Sequence, residues 1–147
     1  MKRRTRGFTL IELLIVVALI AVASGVAVLA LRDPSATRLE QEGARLAALL
    51  ESARSEARAS GLAVRWEPSV LDGAPHDFRF VGLSSASPMP ERWINEGVRA
   101  DVIGARAVVL GPEPLIGAQR IVLSLDDRRL TLSTDGLGPF EVEASSE

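Results

Sequence analysis

The sequence contains no cysteine, only one histidine and a single lysine among its 147 residues. Without cysteine there are no disulfide bridges, no thiolate metal ligands and no thiol nucleophile. The lysine, Lys2, lies within the first seven residues. Beyond those seven residues, 13 Arg stand against 19 Asp and Glu, a net charge of −6. This acidity argues against nucleic acid as a partner.

Positive charge and apolar residues are both concentrated at the amino terminus. Residues 1–7 form a basic leader with a charge of +4, and residues 8–31 contain 20 apolar residues out of 24. As a helix, the uncharged run 13–31 spans roughly 28 Å, close to the thickness of a bilayer core. Because basic flanks stay in the cytoplasm, we expect a single-pass anchor with the carboxyl-terminal part across the membrane.

A secretory signal peptide is the alternative interpretation of this pattern. The small residues Ala21-Val22-Ala23 before Ser24 provide a suitable cleavage site. Glu12 argues against it, because a carboxylate costs about 2.5–3.5 kcal/mol at the centre of a membrane helix and a disposable segment gains nothing from one. The simpler alternative for Glu12 is that it reaches the cytoplasmic interface, where the helix dipole favours negative charge.

Residues 6–16 resemble the prepilin signature shared by type IV pilins and type II secretion pseudopilins. The match includes Gly7, Phe8, Thr9 and Glu12 at fixed offsets between the basic leader and the apolar helix. The resemblance implies that a prepilin peptidase cuts after Gly7 and that the new amino terminus, Phe8, is methylated. Glu12 lies one helical turn from that amine. In a fibre of staggered subunits, we expect it to pair with a neighbour's amine and set the register.

Residues 32–61 are predicted to form an amphipathic helix. Asp33 is a potential N-cap, Pro34 suits the first helical position and Gly61 is a good terminator. One stripe is apolar, with Leu39, Leu46, Leu49, Leu50, Ala53 and Ala57. The charged residues around this stripe suit a partner surface or a solvated face, and we expect them to be solvated: Glu40, Glu42, Arg45, Glu51, Arg54, Glu56 and Arg58.

Residues 62–147 change to an apolar period of two, which predicts an antiparallel β head. The expected strands are 62–67, 78–81, 107–110, 120–125, 129–134 and 140–143. We expect turns at 126–128 and 135–139 and a loop over 84–98. The predicted fold class is therefore α+β, with a long N-terminal helix packed on an antiparallel β-sheet.

Acidic and glycine residues at the predicted turns have conformational explanations. Asp126, Asp127 and Asp135 lack the spacing of a cation site, and turns favour Asp for its local hydrogen bonds. Gly136 and Gly138 are expected to supply positive φ, since no helix follows them to complete a phosphate loop.

The histidine and the two tryptophans also have simple interpretations. His76 lies in a loop-like stretch without a nearby nucleophile, so we expect a surface residue and not a general base. Trp66, on an alternating strand, is expected in the core. Trp93, in a loop, suits the core or a binding surface equally. We predict no catalytic, cofactor or metal site.

The order of elements matches the pseudopilin body plan. Residues 46–65, Trp66 and residues 134–142 resemble the H family of minor pseudopilins and its relatives among minor type IV pilins. The resemblance implies a non-enzymatic, inner-membrane subunit at or near the tip of a periplasmic pseudopilus for protein export. Implied partners are other minor and major pseudopilins, the prepilin peptidase, an inner-membrane assembly platform and membrane lipid. Two alternatives are a minor type IV pilin, for pilus assembly, adhesion or DNA uptake, and a periplasmic enzyme with a signal peptide.

Overall fold

The computed structural model describes residues 9–30, 34–71, 73–84 and 88–143, with only the backbone for residues 26–30. The chain divides into two compact units, with the boundary between Asp33 and Pro34. The first unit contains helix α1 (Leu10–Ala30), and the second contains helix α2 (Pro34–Ser60) and all the described strands. The leader and Asp33, the predicted N-cap, lie outside the described residues.

Seven strands follow α2 in the described part of the head. They are β1 (Val64–Pro68), β2 (Phe78–Val81), β3 (Arg99–Val102), β4 (Val108–Gly111), β5 (Gln119–Leu125), β6 (Arg128–Thr134) and β7 (Glu141–Val142). The six predicted strands are all present, with small shifts at their ends. β3 was not predicted, because its four residues alternate too briefly and include an alanine, a weak strand former.

These strands form two antiparallel sheets, where the sequence predicted one. The first sheet has the order β2-β1-β4, and the second has the order β3-β5-β6-β7. Periodicity identifies strands but does not determine which strands pair, so it does not predict the division into two sheets. The β5–β6 hairpin pairs in full register from Gln119–Thr134 to Leu125–Arg128.

The apolar stripe of α2 packs on both sheets, as predicted. Five of its six predicted members are at most 1% exposed, and the sixth, Leu49, is half-buried. Gly43 lies on the same buried face, where an added Cβ would collide with the Leu130 side chain. Because glycine has no Cβ, α2 can pack closely against β6 at this position. Gly61, with φ of 68°, follows the last turn of the helix, as expected of a terminator.

Aromatic rings join the first sheet to the loop that precedes β3. The Phe78 ring centroid lies 5.8 Å from that of Trp66 and 4.6 Å from that of Trp93. Trp66 is fully buried, which confirms its predicted place in the core. Trp93 packs against the core but is only half-buried, so its two interpretations both stay predictions.

The two predicted turns are present, but only one of the two glycines behaves as expected. Asp126 and Asp127 connect β5 to β6, and Asp126 has φ of 52°. Gly136 has φ of 90°, as predicted, whereas Gly138 does not adopt positive φ. The backbone N–H of Gly138 instead donates to the Asp135 carboxylate at 2.8 Å, and so does that of Leu137 at 2.9 Å. These two hydrogen bonds form the turn, and Gly138 does not need a left-handed conformation within it.

Candidate processing and assembly segment

The start of α1 is fixed by reciprocal hydrogen bonds between Thr9 and Glu12. The Thr9 backbone N–H and hydroxyl both donate to Glu12 Oε2 at 3.0 Å. The Glu12 backbone N–H donates back to Thr9 Oγ1 at 3.3 Å. This is a capping box, with Thr9 as N-cap and Glu12 three residues later. The other carboxylate oxygen, Oε1, makes no hydrogen bond within the described residues, so the carboxylate can still accept a second donor.

The side chains of α1 are apolar on every described face. Ten large apolar side chains between Leu10 and Val22 are exposed, from 44% for Val16 to 78% for Leu10. Glu12 is the one charged residue of the helix. A helix that is apolar all round is stable only when other apolar groups or lipid cover it. Within the described residues, no helix meets both the length and the apolarity that crossing a membrane demands.

A buried carboxylate attaches the long loop of the head to α2. Glu42 is 1% exposed, and its Oε1 accepts the backbone N–H groups of Ile94 and Asn95, each at 2.7 Å. The side-chain amide of Asn95 adds a third bond at 2.9 Å. Arg45 approaches the other oxygen at 3.4 Å. Several donors thus compensate the cost of burying this charge.

A buried guanidinium attaches the carboxyl-terminal turn to the same helix. Arg54 is 1% exposed and donates to the carbonyl oxygens of Gly136 and Gly138, both at 2.8 Å. A longer contact of 3.5 Å reaches the carbonyl oxygen of Pro114. The carboxylate of Glu51 lies 3.6 Å from the guanidinium. One side chain therefore binds two separate loops to α2.

Comparison with known proteins bears on both units of the chain. Residues 2–28 match the family described as the prokaryotic N-terminal methylation motif. The structure is similar to the type IV minor pilin FimU of Pseudomonas aeruginosa, with a TM-score of 0.56 and 18% sequence identity. The similarity covers 76% of this chain and 92% of FimU. The fold is pilin-like. No curated protein sequence gives a match.

The pilin-like chain therefore carries the methylation motif where the prepilin signature was predicted. Gly7 and Phe8, the expected cleavage and methylation positions, lie within the matched residues but outside those the structure describes. Glu12 lies in the first turn of α1. Its predicted role in assembly and the predicted anchor over residues 8–31 stay predictions.

The remaining candidate residues of the pilin-like head lie on two turns and one loop. Asp126 accepts a hydrogen bond from the Ser35 hydroxyl at 2.8 Å, and His76 is half-buried in the loop between β1 and β2. Bonds from Gly138 and Leu137 hold the pKa of Asp135 below its ordinary value, because they favour the charged carboxylate. Across the described residues, no three His, Cys, Asp or Glu side chains are grouped as metal ligands would be.

The prediction that Glu42 and Arg54 are solvated was wrong. Both lie on the buried stripe of α2, since Glu42 is three residues after Leu39 and Arg54 is four residues after Leu50. Their positions in the helical period could have revealed them. A charged residue type predicts exposure, yet a charged side chain can occupy a core position when backbone groups from a loop complete its hydrogen bonds.

Proposed function

We propose that this protein is a minor pseudopilin of a type II secretion system, similar to the one called protein H. It is cleaved after Gly7, methylated at Phe8 and anchored in the bacterial inner membrane by residues 8–31, with its head in the periplasm. One observation carries this proposal: a methylation motif covers most of an apolar helix that contains a single carboxylate, and the chain also has a pilin-like head. That combination favours a structural subunit over an enzyme.

Cleavage before the apolar helix leaves that helix attached to the head. It also creates a positive α-amine at Phe8, one helical turn before Glu12. Thr9 occupies only one oxygen of the Glu12 carboxylate, so the other can accept the amine of a neighbouring subunit. A buried ion pair tolerates no loss of one partner, since the remaining charge then costs about 3–5 kcal/mol. Glu12 therefore selects the stagger at which subunits join.

The proposed partners follow from this assembly route. The prepilin peptidase processes the leader, membrane lipid surrounds the anchor before assembly, and an inner-membrane assembly platform receives the processed subunit. Other minor and major pseudopilins then contact the helix and the head at or near the tip of a periplasmic pseudopilus.

A minor type IV pilin is the second candidate function. The similarity of the fold to FimU, which is described as a type IV minor pilin, favours it. Deletion of the gene in its host separates the two. Loss of protein export with surface pili intact supports the secretion function, whereas loss of pili with export intact supports the pilus function.

Mass spectrometry of the membrane-extracted protein tests the processing step. We expect the mature chain to begin at Phe8, with one methyl group on its α-amine. A mature chain that begins at Ser24 would instead identify a signal peptide and would leave the periplasmic-enzyme alternative.

Replacement of the carboxylate tests the assembly step. For Glu12→Gln we expect unchanged membrane insertion and at least a tenfold loss of fibre incorporation, measured by cross-linking to other fibre subunits. Glu40→Gln, which removes an exposed carboxylate from α2, is the matched control and should incorporate normally. Normal incorporation of Glu12→Gln would contradict the proposed selection of stagger.

A further inference from the structure

Four strands lie at sheet edges in the described part of the head, and β4 is the one that carries no charged residue. The other three each carry at least one: Arg79 in β2, Arg99 and Asp101 in β3, and Glu141 in β7. Charged side chains on an edge strand are one of the ways in which proteins prevent it from pairing with another chain. The β4 edge lacks this protection.

The composition of β4 itself favours strand pairing. Val108, Val109 and Leu110 are consecutive apolar residues, and the two valines are β-branched, which suits a strand. The sequence contains no charged residue between Arg106 and Glu113. Short segments with high strand propensity and low charge readily recruit other strands. Because Val109 is 42% exposed, this segment is not hidden inside the head.

The side chain of Gln119 occupies the outer hydrogen-bonding position of β4. Its Oε1 accepts the backbone N–H of Val109 at 2.7 Å, and its Nε2 donates to the carbonyl oxygen of Val109 at 2.8 Å. Because both backbone groups of Val109 bond to Gln119, they point away from β1, the neighbour of β4 in its sheet. Both hydrogen bonds are exposed to solvent, so the amide covers a position that another chain can reach.

The amide of Gln119 presents the same groups as a residue of a neighbouring strand. In an antiparallel sheet, a hydrogen-bonded pair of residues exchanges one N–H and one C=O from each side. A primary amide offers one such donor and one such acceptor, and so does Val109 of a second copy. Two copies of β4 related by a twofold axis can therefore pair through Val109 and its counterpart, in the symmetry commonest among homo-oligomers.

We propose that Gln119 protects the β4 edge and prevents two copies of this chain from pairing through β4. The side chain comes from β5, so a strand of one sheet closes the edge of the other. This protection replaces the charged residues that the other three edge strands carry. The device lies wholly in the head and uses no residue of the leader or α1. It therefore goes beyond the proposed function, and the two can fail separately.

Sedimentation equilibrium of the full chain in density-matched detergent micelles tests the proposal. We expect Gln119→Ala to lower the dissociation constant of the dimer at least tenfold relative to the unaltered chain. Both chains contain α1, so any association of that helix is the same in the two measurements. Gln41→Ala, which removes an exposed glutamine from α2, is the matched control and should leave the dissociation constant unchanged. Equal dissociation constants for Gln119→Ala and the unaltered chain would overturn the proposal.

A second substitution identifies the surface through which the variant associates. Addition of Val109→Lys to Gln119→Ala places like charges directly opposite each other in the β4 pair, which destabilises it. We expect this double variant to dissociate at least as readily as the unaltered chain. Addition of Val70→Lys, at an exposed valine outside β4, is the control and should leave the tighter association in place. Equally tight association with Val109→Lys would locate the contact elsewhere and would overturn the proposal.

Amide hydrogen exchange shows directly what covers Val109. In dilute Gln119→Ala we expect the amide of Val109 to exchange at least tenfold faster than in the unaltered chain, because its acceptor has been removed. Protection should return as the concentration of the variant is raised. Unchanged exchange in the dilute variant, or fast exchange at every concentration, would overturn the proposal. If Gln119→Ala fails to fold, Gln119→Asn, whose side chain is one methylene shorter, decides by the same measurements.

Discussion

The Arg54 guanidinium donates a 2.8 Å hydrogen bond to the backbone carbonyl oxygen of Gly136, 82 residues away in the sequence. A second bond of the same length reaches the carbonyl oxygen of Gly138. The carboxyl-terminal turn is thus held on α2 by a side chain that solvent does not reach. A hydrogen bond to a buried charged group is worth about 1.5–3 kcal/mol, more than a neutral one.

Removal of the guanidinium should therefore destabilise the head. We expect Arg54→Met to lower the free energy of unfolding by about 3 kcal/mol, because two buried carbonyl oxygens lose charged donors. Arg54→Lys should recover less than half of this loss, since an ammonium group cannot reproduce the planar fork. The measurement is urea unfolding of the full chain in detergent micelles, followed by tryptophan fluorescence.

The matched control for Arg54 is on the solvent side of the same helix. Arg58 is exposed, so Arg58→Met should change the unfolding free energy by no more than about 0.5 kcal/mol. Equal losses for the two methionine variants would show that the hydrogen bonds of Arg54 contribute nothing specific.

Gly136 is expected to be the less replaceable of the two glycines in this turn. An added Cβ at Gly136 would lie 2.6–2.7 Å from the backbone of Gly117, and its φ of 90° is unfavourable for other residues. We expect Gly136→Ala to lower the thermal unfolding midpoint clearly, at a cost of about 1–3 kcal/mol. At Gly138 the Cβ would make only an ordinary 3.6 Å contact, so Gly138→Ala is the control and should be near neutral. The reverse order of the two midpoints would contradict this assignment.

Glu42 is expected to keep the loop that carries Trp93 attached to α2. Glu42→Gln keeps an acceptor oxygen but removes the charge that strengthens its three bonds, and it turns a donor toward Arg45. We predict a loss of about 1–2 kcal/mol in unfolding free energy and faster hydrogen exchange at the amides of Ile94 and Asn95.

Glu40→Gln is the control for this loop, because it removes an exposed carboxylate two residues away on α2. It should leave both amide exchange rates unchanged. If Glu42→Gln also left them unchanged, the loop would be held by contacts other than this carboxylate.

The helix and strand pattern of the head could be predicted because it depends on local periodicity. Leu39, Leu46 and Leu50 recur at helical spacing, and Gly61 ends the helix, so α2 follows from short-range rules. The sorting of strands into two sheets could not be predicted in this way. The sorting depends on which strands pair with each other once the chain has collapsed, and no local sequence pattern determines that pairing.

The candidate sites show the same limit. The methylation motif is contiguous and was recognised from the sequence, whereas Glu42 and Arg54 find their partners 52 to 84 residues away. Such long-range partners become visible only in three dimensions.

The Asp135 turn should make the stability of the head depend on acid. The N–H groups of Gly138 and Leu137 lower the pKa of Asp135 from its unfolded value of about 3.8. A depressed folded-state pKa contributes stability that is fully present above the unfolded pKa and is lost as pH falls through the folded value. We therefore expect Asp135→Asn to reduce the difference between urea midpoints measured at pH 7 and at pH 2.5. Asp127→Asn, in the β5–β6 turn, controls for the removal of one surface carboxylate, and an equal reduction in both variants would disprove the specific role of Asp135.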